Sequence, residues 1–187
     1  MIHIPGWIIS FLSMSVALLT FPGIIVHEIA HRFFCDITET PVYDICYLRV
    51  GNPLGYVKHG EVTGLKDLFL ISIGPLIVNT MMCMLLTLPF MYPVFILGTG
   101  AVNPIFSILA WFGFSVGMHA FPSDVDMDNL VREVKTTKQR GVLFYIAAPF
   151  AALVGCANYL SLIWMNLFYA IGVSCILPLI LLALITY

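Results

Sequence analysis

Residues 27–31 read His-Glu-Ile-Ala-His, in the middle of the apolar run GIIVHEIAHRFF. On a helix, positions i and i+4 share a face. His27 and His31 can therefore reach one metal ion. Glu28 lies beside them, placed to take a proton from an attacking water. H-E-x-x-H in this arrangement is the donor set of a zinc hydrolase. Two histidines and a glutamate are costly to bury in a lipid-spanning helix, and such residues are functional by default. The plainer reading places them at a wet helix end, where they cap or pair locally. Arg32, Phe33 and Phe34 follow at once and fit such an interface.

A catalytic zinc takes three protein ligands and keeps a position open. The segment GMHAFPSDVDMDNL, 117–130, is the obvious source of the third, offering His119, Asp124, Asp126 and Asp128. Ser123 followed by Asp126 is also a capping box, S-x-x-D, opening a polar helix through NLVREVKTTKQR. Acidic residues are common in a first helical turn. One of the three aspartates can thus bind metal while the others only favour the helix start.

These residues must be positioned by apolar elements. The chain has 187 residues, 60% hydrophobic and 10% charged, against roughly 25% charged in soluble domains. It reads as an integral membrane protein in one unit, 1–187. Net charge is −2, which suggests no nucleic-acid partner. The five cysteines form no CxxC pair, so neither a disulfide framework nor cysteine-ligated zinc is expected. No cleavable signal is evident, because the N-terminal stretch lacks a basic region before its apolar run.

Five stretches suit spans of about 20 apolar residues. They are about Pro5–Phe34, Leu68–Tyr92, Val102–Phe121, Val142–Met165 and Leu167–Tyr187, with Asn166 at the join of the last two. The rival count is four, with 142–187 as one broken unit. Pro22-Gly23 and Gly74-Pro75 are candidate bends, the second also a candidate gate. With five spans, Arg32, Arg49, Lys58, Lys66, Arg132, Lys135, Lys138 and Arg140 all fall on one side. Those are all the basic residues, and the positive-inside rule makes that side cytoplasmic. The N-terminus is then outside and the C-terminus inside. The β-branched and aromatic runs PVYDICYLRV and YVKHGEV flank the turn signal GNPLG. They predict a small hairpin, or else an ordered loop, within 35–66 at the cytoplasmic membrane edge. The fold class is an all-α polytopic membrane protein carrying that hairpin or loop.

H-x-x-x-H also occurs in membrane di-iron enzymes, which use many more histidines. Five are present, His3, His27, His31, His59 and His119. His3 falls on the opposite side, and too few remain for two irons.

The ordered pieces resemble the site-2 protease family of intramembrane zinc metalloproteases, over about residues 20–130. HEIAH lies in the first core helix. GPLIVN, Gly74 to Asn79, looks like the family's G-P-x-x-N element with one extra residue before the asparagine. H-A-F-P-S-D-V-D is the counterpart of the family's N-x-x-P followed by L-D-G. His119 stands where the family has asparagine, and no Asp-Gly follows. Counted from Pro122, the family's aspartate spacing falls on Met127, between Asp126 and Asp128. Asp126 is the first choice, being nearer the membrane and in the first helical turn after Ser123; Asp124 is the second.

The resemblance implies Zn²⁺ held by His27, His31 and Asp126, with Glu28 as general base and then acid. It implies hydrolysis of a peptide bond in a transmembrane protein substrate, at or within the bilayer. Asn79 or His119 is the candidate hydrogen-bond donor to the oxyanion. The plainer roles are helix–helix packing for Asn79 and an interfacial hydrogen bond for His119. An exposed strand edge in 41–62 would hold an unwound substrate segment by β-addition. The chain looks minimal, without a PDZ- or CBS-like module. Two other classes use the same residues: a zinc-dependent membrane hydrolase of a small or lipid amide, and a non-catalytic scaffold with a structural zinc.

Overall fold

The apolar runs become helices, which satisfy their own backbone polar groups. The computed structural model describes residues 6–62, 64–98, 103–137, 141–160 and 163–186. In chain order the elements are α1 (Gly6–Leu19), α2 (Phe21–Ile37), β1 (Val42–Cys46), β2 (Tyr56–His59), α3 (Leu65–Phe95), α4 (Pro104–Met118), α5 (Asp124–Thr136), α6 (Val142–Leu160) and α7 (Ile163–Thr186).

Among the described residues, two helices are long and apolar enough to cross a membrane, α3 and the Met165–Thr186 part of α7. A third is reached if α1 and α2 count as one bent span. Five spans are therefore more than these helices support. α4 has 15 residues, so it rises only about 22 Å against a hydrocarbon core of about 30 Å. α6 enters the comparison only through its described apolar part, Val142–Val154. Asn166, the expected join of the last two spans, lies within α7, and residues 161–162 between α6 and α7 fall outside the described residues.

The first expected span is broken rather than bent at Pro22-Gly23. α1 and α2 meet at 75° across Thr20. The Thr20 hydroxyl donates back to the Val16 carbonyl at 2.8 Å, closing the last turn of α1. Pro22 then sits in the first turn of α2, where its missing N–H is not needed. Gly23 has a different reason. A Cβ there would collide with the Ser115 carbonyl and the His119 ring, so glycine lets α2 cross tightly on α4.

Gly74-Pro75 does not break α3, which runs without interruption past Pro75, Pro89 and Pro93. A Cβ on Gly74 would occupy the Phe34 ring. The glycine is thus a contact between α3 and α2, not a hinge. α3 is the central element, packed against α2, α4, α5, α6 and α7. Small residues bring α4 and α7 close to it: a Cβ on Gly117 would lie 2.6 Å from Cys83 Sγ and 3.0 Å from Ala170 Cβ, the close approach that small residues permit between membrane helices.

The hairpin expected within 35–66 is present. β1 and β2 pair antiparallel, with Asp44 opposite Lys58, Ile45 opposite Val57 and Cys46 opposite Tyr56. The Tyr56 hydroxyl donates to Asp44 at 2.9 Å and fixes that register. α5 begins at the predicted capping box: the Ser123 backbone N–H donates to Asp126 Oδ2 at 3.1 Å, and Ser123 Oγ accepts from the Asp126 N–H at 3.3 Å. Met127 and Leu130 on α5 pack with Leu65 of α3 and with Ala147, Ala151 and Val154 of α6. That apolar cluster anchors α5, and so sets where its first turn lies.

Candidate metal centre

One helical turn of α2 places His27 and His31 side by side, with their Nε2 atoms 3.1 Å apart. The first turn of α5 approaches from across the fold, and Asp126 Oδ2 lies 3.2 Å from His31 Nε2. Ligand atoms of His27, His31 and Asp126 all fall within 4.8 Å of one another. A tetrahedral ion with bonds of about 2.0–2.1 Å holds its ligand atoms about 3.4 Å apart. Two of these separations match that value closely, and the mix of two imidazoles and a carboxylate suits zinc.

Ring orientation supports the same use. His27 Nδ1 donates to the His119 backbone carbonyl at 2.7 Å. Its proton is therefore on Nδ1, and the Nε2 lone pair faces His31 and Asp126. A ligating histidine is commonly held through its other nitrogen in this way. Asp126 is oriented by Ser123, whose hydroxyl donates to the same carboxylate oxygen at 2.6 Å. Burial alone would raise the Asp126 carboxyl, but the His31 charge and hydrogen bond, with the Ser123 bond, hold it down at about 2. It stands as a carboxylate at neutral pH. The capping and ligating roles are thus compatible in one residue.

Asp124 and Asp128, the other candidate aspartates, are both exposed. Among the described residues they do not belong to the ligand cluster. His59 stands apart from it too, its Nδ1 donating to the Gly60 carbonyl at 2.8 Å.

Glu28 is 8% exposed and lines two cavities that meet at the site. The first, about 260 Å³, is walled by Ile24, Leu54, Met118, Phe121 and Asn166. The second, about 290 Å³, runs under β2 past Tyr56 to His59 and includes His31 and Asp126. His27, Glu28, Pro53, Gly55 and Ser123 line both. The loop between β1 and β2 forms the roof. A Cβ on Gly55 would lie 2.8 Å from Glu28 Cγ and 3.1 Å from Ile24 Cγ2. GNPLG reads as a turn signal in sequence, and nothing local marks Gly55 as a neighbour of Glu28.

The two expected oxyanion donors do other work. Asn79 is fully buried, and its Nδ2 donates to the Val116 carbonyl at 3.2 Å and the His119 carbonyl at 2.8 Å. Both amide hydrogens are engaged, leaving none for an oxyanion. His119 Nδ1 donates to the Ser115 carbonyl at 2.9 Å, so the neutral ring offers Nε2 only as an acceptor. What the site uses is the His119 backbone carbonyl, which receives both Asn79 and His27. Asn79 therefore positions His27 from α3 through one shared carbonyl. Asn79→Leu is expected to fold and to lower metal affinity by about 10–100-fold, the usual effect of removing such a partner. Competition titration against a chromophoric chelator measures it; unchanged affinity would remove the positioning role.

Comparison with protein-family models, with curated proteins and with solved structures finds no match to this chain.

Proposed function

We propose that the protein is a membrane-embedded zinc metalloprotease of the site-2 protease type, cutting a membrane-protein substrate at or within the bilayer. The observation that carries this reading is the convergence of His27, His31 and Asp126 from α2 and α5, with Glu28 beside them at the junction of two cavities. A zinc ion held by those three residues would supply Lewis acidity and lower the pKa of water toward about 7. Glu28 accepts the proton of the attacking water and then delivers it to the leaving amine. Its side chain lies close against Gly55 in the β1–β2 loop, where a Cβ would meet it.

Peptide bonds in a helix have engaged backbone groups, so a substrate must unwind before it is cut. β2 lines the cavity that holds His31 and Asp126. Its outer edge can pair with an unwound segment and lay it across Glu28.

The finer topology belongs to the same proposal. The bent α1–α2 pair, α3, α4, α6 and α7 would each traverse the bilayer, with the short α4 reaching through a locally thinned region. The basic residues then share the cytoplasmic side, with the N-terminus outside and the C-terminus inside. Cysteines placed at Thr99, which lies outside the described residues, and at Thr137 after α5 are expected to label from opposite sides of sealed vesicles. Labelling from one side would remove this arrangement.

The activity test uses purified protein in detergent and a panel of single-span membrane proteins, with and without a chelator. Chelator-sensitive cleavage is expected. Zinc-dependent release of a small product with no proteolysis would instead assign a lipid or small-amide hydrolase.

A further inference from the structure

A third cavity, of about 330 Å³, lies beyond the metal site where β2 ends. It is lined by His59, Glu61, Asn129, Arg132 and Glu133, among others. His59 also lines the cavity that holds His31 and Asp126, so the two cavities adjoin at that ring. The path along β2 therefore runs from an apolar chamber at Ile24, Leu54 and Phe121, past Glu28, to a polar chamber bounded by α5.

The polar chamber has more acidic than basic side chains, Glu61 and Glu133 against Arg132. Among the described residues no cation lies within ion-pair distance of Glu61 or Glu133. Its one guanidinium, Arg132, already donates to Asn129 Oδ1 at 2.9 Å. The His59 ring donates through Nδ1 to the Gly60 carbonyl, so its neutral form turns an Nε2 acceptor elsewhere. Two carboxylates thus face one guanidinium, so the lining carries one more negative than positive charge. Membrane-spanning segments carry Lys and Arg where they leave the bilayer on the cytoplasmic side.

We propose that this chamber is a substrate subsite for a basic side chain flanking the cut segment, which rests on the protease reading above. A strand advances about 3.3 Å per residue. A segment paired along β2 from Gly55, against Glu28, to His59 therefore brings the basic residue about four positions from the bond that is cut. Cleavage is directed to juxtamembrane sequence by charge at one end and by apolar contact at the other.

The test measures binding, so it does not depend on turnover. The Glu28→Gln protein, in a neutral detergent, is titrated with fluorescent single-span peptides of one apolar sequence. They are followed by three lysines, three serines or three glutamates. The lysine peptide is expected to bind about three- to tenfold more tightly than the serine peptide, with the glutamate peptide weakest. Adding Glu61→Gln and Glu133→Gln should erase the preference, and adding Arg132→Gln instead should enlarge it. Equal binding of the lysine and serine peptides, a preference for glutamate, a preference surviving the double glutamine variant, or no binding of any peptide overturns the subsite. A lysine preference in a protein whose wild type cuts nothing would leave the subsite standing and remove the protease.

Discussion

Glu28→Gln is expected to abolish chelator-sensitive cleavage while leaving folding and zinc content unchanged. Glutamine keeps the shape of the side chain but cannot accept a proton. Removing a general base typically lowers rate by ~10²–10⁴, and the effect is at the upper end where one group also serves as the acid. Glu28 is the only carboxylate lining both cavities at the site, and its side chain lies close against Gly55 in the roof. Asp126, the other carboxylate at the second cavity, is engaged through Oδ2 by His31 and Ser123. The measurement compares wild type and variant on the same single-span substrates, alongside metal analysis. Cleavage by the variant at the wild-type rate would leave HEIAH as a structural metal site in a scaffold.

Asp126→Ala, His27→Ala and His31→Ala are each expected to lose zinc, whereas Asp124→Ala keeps it. A lost ligand should weaken binding by more than the about 10–100-fold that a lost supporting partner costs. The loss also has a thermal readout. A ligand at one hundred times its Kd stabilises the state that binds it by about 2.7 kcal/mol. Zinc should therefore raise the unfolding temperature of wild type and Asp124→Ala, and leave the other three variants close to their metal-free values. The contrast between neighbouring aspartates is the sharp part. Asp124 and Asp126 are both in the first turn of α5, yet only Asp126 turns to His31. Stoichiometric zinc in Asp126→Ala, with loss in Asp124→Ala, would move the ligand by half a helical turn and leave the metal reading in place.

Both results depend on features that lie at different depths of the sequence. The side-by-side histidines were legible because i and i+4 spacing is a property of one helix. The capping box was legible for the same reason, as Ser123 and Asp126 meet within a single turn. The hairpin followed from two β-prone runs around a turn signal. Each is local, so composition and period suffice.

Span count was less legible. Hydropathy marks apolar segments but not where a helix stops, and Thr20 divides one apolar run into two helices at 75°. Asn166 looked like a joint because it is polar, yet it lies inside α7 and faces the apolar chamber by Ile24. Pro75 looked like a break, but α3 continues through it while packed on five other helices.

The sequence by itself determined that one helix carries two histidines and a glutamate on an adjoining face, and that an acidic helix start follows a later apolar helix. Only the tertiary structure decided that Asp126 lies beside the two histidines, since that depends on how Met127 and Leu130 seat α5 against α3 and α6. It also decided that Asn79 and His27 meet on one backbone carbonyl, 2.8 Å and 2.7 Å away. A carbonyl belongs to every residue and leaves no mark in the sequence, so a contact made through it is invisible until three helices are packed together.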